Sequence, residues 1–170
     1  MSKMLLSIHV LAAILTIGPI TVAASIFPRY ARAAGAGGEI ADDGEERGER
    51  AASIAGLLHR ICRGYAIAGL AVPVFGVATG ARMGILTDAW LLVSTVLTAI
   101  AAGVLVLMLL PLQATLLELT APGAGVGAGA DEKRVRPAAA RLSGLTGIFN
   151  LLWTVVVVLM IFRPGATTGG

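Results

Sequence analysis

The sequence predicts an all-α, polytopic membrane protein built as a four-transmembrane-helix bundle, and three observations carry that prediction. Hydrophobic residues make up 56% of the chain and charged residues only 14%, with a mean hydropathy of +0.86; soluble domains carry about 25% charge. A chain of 170 residues has too much surface for its volume to hide so much apolar side chain from water. The charges also leave four long uncharged runs: 25 residues between Lys3 and Arg29, 18 between Arg63 and Arg82, 29 between Asp88 and Glu118, and 21 between Arg141 and Arg163. A helix crosses the hydrocarbon core with about 20 apolar residues, within a range of about 17–25. Stretches such as VLVLMLL and VVVVLMIF do not alternate, which argues against transmembrane strands.

The elements follow in order, within one membrane domain spanning 1–170. The first helix is expected at about 4–28. Lys3, the apolar stretch and Val22-Ala23-Ala24 before Ser25 look like a cleavable leader. Cleavage would reverse the cation bias of the rest of the chain, so a retained helix is expected instead. The second helix, about 53–81, needs residues 53–63 as an interfacial lead-in. The third spans about 89–117 and the fourth about 139–162. Loops are expected at about 29–52 and 118–138. Within them residues 33–38 and 121–130 are Ala/Gly-rich connections, and the charged stretch 39–50 is a candidate extension of the second helix. Pro19, Pro73 and Pro111 withdraw the backbone bonds to Leu15, Gly69 and Leu107, which predicts bends.

Orientation follows from the cations. Arg29, Arg32, Arg47, Arg50, Arg60, Arg63, Lys133, Arg134, Arg136 and Arg141 fall on one side, and only Lys3, Arg82 and Arg163 on the other. The positive-inside rule then places both loops in the cytoplasm and both termini outside. The expected home is a bacterial plasma membrane. The net charge of +3 is explained by orientation in a lipid bilayer, with no nucleic-acid partner.

Small and polar residues mark the faces that meet, because lipid tails offer them no partner. On the second helix these are His59, Cys62, Ala66, Gly69, Pro73, Gly76 and Gly80. The fourth offers Ser143, Gly147, Asn150 and Thr154, the first His9, Ala13, Thr16 and Ala23 or Ala24, and the third Ser94, Thr98, Ala101 and Ala102. Packing and interhelical hydrogen bonding are the expected use, with Gly69, Gly76, Gly80, Gly147 and Asn150 as packing positions.

No Asp, Glu or Lys lies within the uncharged runs, so a carboxylate-coupled pump has nothing to run on. Cys62 is the single cysteine, which excludes an internal disulfide or a Cys-x-x-Cys site. His9, about 6 Å inside the outer boundary at 1.5 Å per residue, is the candidate cofactor residue, as an axial ligand of haem b or a copper ligand. Met4, Met83 and Met160 fall on the same side and complete a weak thioether set for copper. His59 lies roughly 25 Å from His9 along the membrane normal, so the two cannot share one cofactor. With Arg60 and Arg63 it is expected at the interface, where it meets lipid phosphates. Asn150 and Trp153 are a candidate pair for a polar ligand group.

The first helix, LLSIHVLAAILTIGPITVAASIFPRYAR, with His9 near its start and Gly18 following, resembles that of the small membrane proteins grouped around the copper-resistance D protein (CopD-like), a group that includes HemJ-type proteins. LLHRICRGYAIAGLAVPVFGVATG, with Pro73 and Gly80, resembles their second helix. The resemblance implies a four-helix frame and copper or haem chemistry, with the first-helix histidine carried over to His9. Pro28-Arg29 stands further from His9 than the corresponding pair of the HemJ-type oxidases, and no uncharged run holds a lysine. The resemblance therefore points to an uncharacterised branch of the group. The function expected from the residues is that of a non-enzymatic membrane protein, as a self-associating unit (a homo-oligomer) or a small subunit of a membrane partner. Haem b or copper binding through His9 are the alternatives.

Overall fold

A computed structural model describes residues 2–36, 42–84, 86, 88–121, 128–162 and 164, and among these no strand occurs. Six α-helices and one π-helical segment make four spans. The first span is α1 (Ser2–Gly35). The second joins α2 (Asp42–Gly69) to α3 (Ala71–Met83). The third runs through α4 (Ala89–Gly103), a π segment (Val104–Leu109) and α5 (Leu110–Leu119). The fourth is α6 (Ala128–Phe162). Long apolar stretches cover Leu6–Gly35, Glu46–Arg82, Ala89–Leu119 and Lys133–Phe162, each long and apolar enough to cross a membrane. Their outward faces are apolar: Ile14, Leu15, Ile67, Leu70, Leu107, Leu151 and Ile161 all stand exposed. Apolar exposure on this scale is what a bilayer, not water, accommodates.

The helices reach further than the uncharged runs. Helix α2 begins at Asp42, so most of the charged stretch 39–50 is helical. Helix α6 begins at Ala128, inside the expected loop 118–138. Lys133 and Arg134, in its early turns, are good helix formers.

The three prolines expected to bend helices act differently. Helix α1 runs unbroken through Pro19 and Pro28. At Pro73 the helix breaks: α2 ends at Gly69, and the Leu70 N–H donates to Ile67, only three residues back, at 3.2 Å. Pro73 cannot donate to Gly69 and its ring crowds that carbonyl. Leu70 keeps right-handed helical dihedrals (φ −62°, ψ −24°), so α2 and α3 continue as one span across the break. Before Pro111 the chain widens into the π segment, and the Leu110 N–H reaches Leu105, five residues back.

That π segment decides which face of the third span points inward. Steps of four residues drift about 40° around an ideal α-helix, so three such steps from Ala101 to Gln113 would carry Gln113 about 120° away. The wider π turn takes up the drift. Ala101, Leu105, Leu109, Gln113 and Leu116 are all buried.

The spans pack in a ring: α1 lies between α2–α3 and α6, α6 packs on the third span, and α5 closes the ring onto α2. The main core joins Ile20, Phe27, Leu105, Leu109, Leu142 and Phe149. It reaches through Ala31, Leu116 and Val135 to the end of the bundle where α1 and α5 finish and α6 begins. At the opposite end Gly84 adopts a left-handed conformation (φ +71°) and caps α3, its N–H reaching Ala81 and Gly80. Only glycine enters that region without strain.

Candidate functional site

Most hydroxyls on the expected packing faces stay within their own helices. Thr16 donates to Ala12, Ser94 to Trp90, Thr98 to Ser94, Ser143 to Ala139 and Thr154 to Asn150, and outside those faces Thr79 donates to Phe75 and Thr146 to Leu142. Each is bonded to a carbonyl four residues back. The described side-chain bonds that join spans come from His9, His59, Gln113, Cys62 and Asn150.

His9 joins α1 to α3. Its Nδ1 lies 2.9 Å from the carbonyl oxygen of Val72, a buried bond. A carbonyl only accepts, so Nδ1 carries the proton and donates. The ring is seated on Gly76: a Cβ there would stand 3.0 Å from Cε1, 3.4 Å from Nδ1 and 3.8 Å from Nε2. His9 is 7% exposed. Pro73 stands three residues before Gly76 in the same helix, within one turn of the histidine seat.

A second polar cluster lies deeper toward the loop end. His59 Nδ1 is 3.1 Å from Gln113 Oε1, Gln113 Nε2 donates to Cys62 Sγ at 3.7 Å, and the Cys62 thiol reaches the Ile20 carbonyl at 4.0 Å. Proton donation thus runs one way, from imidazole to amide to thiol to backbone, across the second, third and first spans. Gln113 and Cys62 are wholly buried. The sequence reading placed His59 at the interface and overlooked Gln113. Gln113 continues the inward face of Ser94, Thr98 and Ala101 only because the π segment takes up the drift of steps of four through Leu105 and Leu109.

Between the fourth and first spans, Asn150 Nδ2 donates to Ser25 Oγ at 3.4 Å. Asn150 Oδ1 and Trp153 Nε1 are buried without a partner. Phe149 and Trp153 meet edge to face, ring centroids 6.4 Å apart. Of the glycines expected on packing faces, Gly76 meets His9. Gly80 allows close approach to Leu91 and Leu86, whose Cδ2 atoms would stand 2.9 and 3.2 Å from its Cβ. Around Gly69 and Gly147 the space is open.

Among the described residues no three of His, Cys, Asp or Glu converge as a metal site. Met4 is 63% exposed while His9 is buried on another side of α1. Met160 is half-buried on α6, and the Met83 side chain lies outside the described residues. His59 stands 13 residues before Val72 on the second span, which places the two histidines roughly 20 Å apart, too far for one haem or metal. The proton on His9 Nδ1 leaves Nε2 as the ligand atom, and the edge that packs on Gly76 is Cε1–Nδ1, with Nε2 the farthest of the three ring atoms. Compared with known proteins, the chain matches no family model, no curated protein and no solved structure.

Proposed function

We propose that the chain is a non-enzymatic, multi-pass protein of a bacterial plasma membrane, acting as a structural unit or small subunit. The observation that carries this reading is the use made of its buried and half-buried polar groups. His9, His59, Gln113 and Cys62 all hold one span to another, which leaves a bundle fastened by polar clasps inside and apolar outside. Self-association, or docking to a partner subunit through the apolar exterior, is the role such a unit would serve. The resemblance to the copper-resistance D group is on this reading one of frame and not of cofactor.

Purified protein from cells replete in haem and copper is expected to be colourless and free of stoichiometric metal, by absorption before and after dithionite and by elemental analysis. A Soret band, or bound copper, that disappears in His9→Ala would overturn the reading.

The proposed orientation puts the connections expected at about 29–52 and 118–138 in the cytoplasm. A cysteine introduced at Gly44 is then expected to be shielded from a membrane-impermeant maleimide in intact cells, while one at the C-terminus is labelled. The opposite pattern reverses the topology. Native Cys62 is buried and contributes no background.

A further inference from the structure

Two hollows share one arginine on the second span. The larger, of about 670 Å³, lies between α2 and α5 and is lined by Glu49, Ser53, Gly56, Arg60, Leu117 and Thr120, among others. The smaller, of about 380 Å³, continues down α2 along Arg60, Ile61, Gly64, Tyr65 and Ala68. The first is bordered by carboxylate, hydroxyl and guanidinium groups. Below Arg60 the second is nearly all apolar. The uncharged run of this span begins at Gly64, immediately after Arg63, so Arg60 and Arg63 mark the level where hydrocarbon gives way to headgroups.

The geometry points to a binding site for one anionic glycerophospholipid. The Arg60 guanidinium holds the phosphate, the hydroxyl-bearing head lies in the Glu49–Ser53–Thr120 hollow, and an acyl chain lies in the groove below. Both arginines are exposed, and no described hydrogen bond or ion pair engages Arg60. A guanidinium suits a phosphate because its planar fork offers paired donors. The Thr120 hydroxyl already donates to the Leu116 carbonyl at 2.9 Å, so toward the hollow it accepts. Glu49 also accepts. Acceptors of this kind match the hydroxyls of a glycerol head. Gly64 and Ala68 keep the lower groove open over eight residues, roughly 12 Å of helix, so an acyl chain can lie against the backbone. The site rests on the chain lying in a bilayer and is independent of which side faces the cytoplasm and of any role for His9.

The test is native mass spectrometry of the full chain in detergent, titrated with phosphatidylglycerol, phosphatidylethanolamine and phosphatidylcholine of matched acyl chains. The expected result is one phosphatidylglycerol retained about fivefold more tightly than phosphatidylcholine, the contribution of one well-placed cation at the interface. Arg60→Gln abolishes that preference, and Arg60→Lys keeps most of it. Gly64→Leu weakens all three lipids by filling the groove. Arg82→Gln, at the other end of the span, changes nothing. Equal retention of the three lipids, a preference for phosphatidylethanolamine, or a phosphatidylglycerol preference that survives Arg60→Gln would each overturn the site. Helicity and monodisperse elution of each variant separate lost binding from lost fold.

Discussion

Gly76→Leu is expected to destabilise the bundle by about 2–4 kcal/mol, from overpacking of about 1–3 kcal/mol together with loss of the His9 bond, which in membrane proteins contributes roughly 0.6 kcal/mol on average. The imidazole already lies 3.0 Å from where the first side-chain carbon would stand. A branched side chain therefore drives the ring off Gly76 and its Nδ1 off the Val72 carbonyl. The ring cannot slide freely, because His9 is buried between α1 and α3. Gly76→Ala separates steric from propensity effects. It gains up to about 1 kcal/mol of helix propensity and needs the ring to move only a few tenths of an ångström, so its net effect is expected to be near zero. The decisive measurement is a double-mutant cycle with His9→Ala, read by denaturant unfolding in micelles. With the imidazole removed, Gly76→Leu should become milder by at least 1 kcal/mol. An equal penalty in both backgrounds would mean that Gly76 does not seat the histidine.

Much of the frame was legible in the sequence because a bilayer allows so few solutions. Four uncharged runs of sufficient length leave four spans as the economical arrangement, and the structure has four helices of that kind. Pro73 and Pro111 were legible as disturbances, but not in their form. A missing N–H can be met by a break, as at Leu70, or by widening the turn, as in the Val104–Leu109 segment. The choice depends on what each neighbouring helix will accept. The hydroxyl faces misled for a different reason. The carbonyl four residues back is always within reach of Ser or Thr, so these residues satisfy themselves without a second helix.

His9 stood out because an ionisable group in an apolar run is rare, and the structure gives it a partner. That partner is a backbone carbonyl, which carries no signature in the sequence. Gln113 was hidden because its inward direction depends on the π segment. On an ideal helix it would have rotated away from Ala101. The inner and outer limits of the candidate site thus had different visibility. Charges and prolines declare themselves one at a time, whereas a pairing such as His59 with Gln113 exists only once the register between two spans is set.

That pairing leads to the second large effect. Gln113→Ala is expected to destabilise by about 2–4 kcal/mol, combining a cavity in the core with a His59 N–H and a Cys62 sulfur left without their partner. Gln113 is wholly buried and touches both. Gln113→Leu restores the volume but not the acceptor, so it should cost about 1–2 kcal/mol, the penalty of the orphaned imidazole donor. Replacing both members, as in Gln113→Leu with His59→Leu, removes donor and acceptor together, and stability should recover most of the way to wild type. Cys62 supplies a local readout. Its thiol is buried in the wild-type bundle and should resist a small maleimide until unfolding. In Gln113→Ala the gap beside the sulfur should raise the labelling rate under native conditions, while the double leucine variant stays protected. If Gln113→Leu alone is as stable as wild type and Cys62 is equally shielded in all three, the amide is filling space, not fastening the second span to the third.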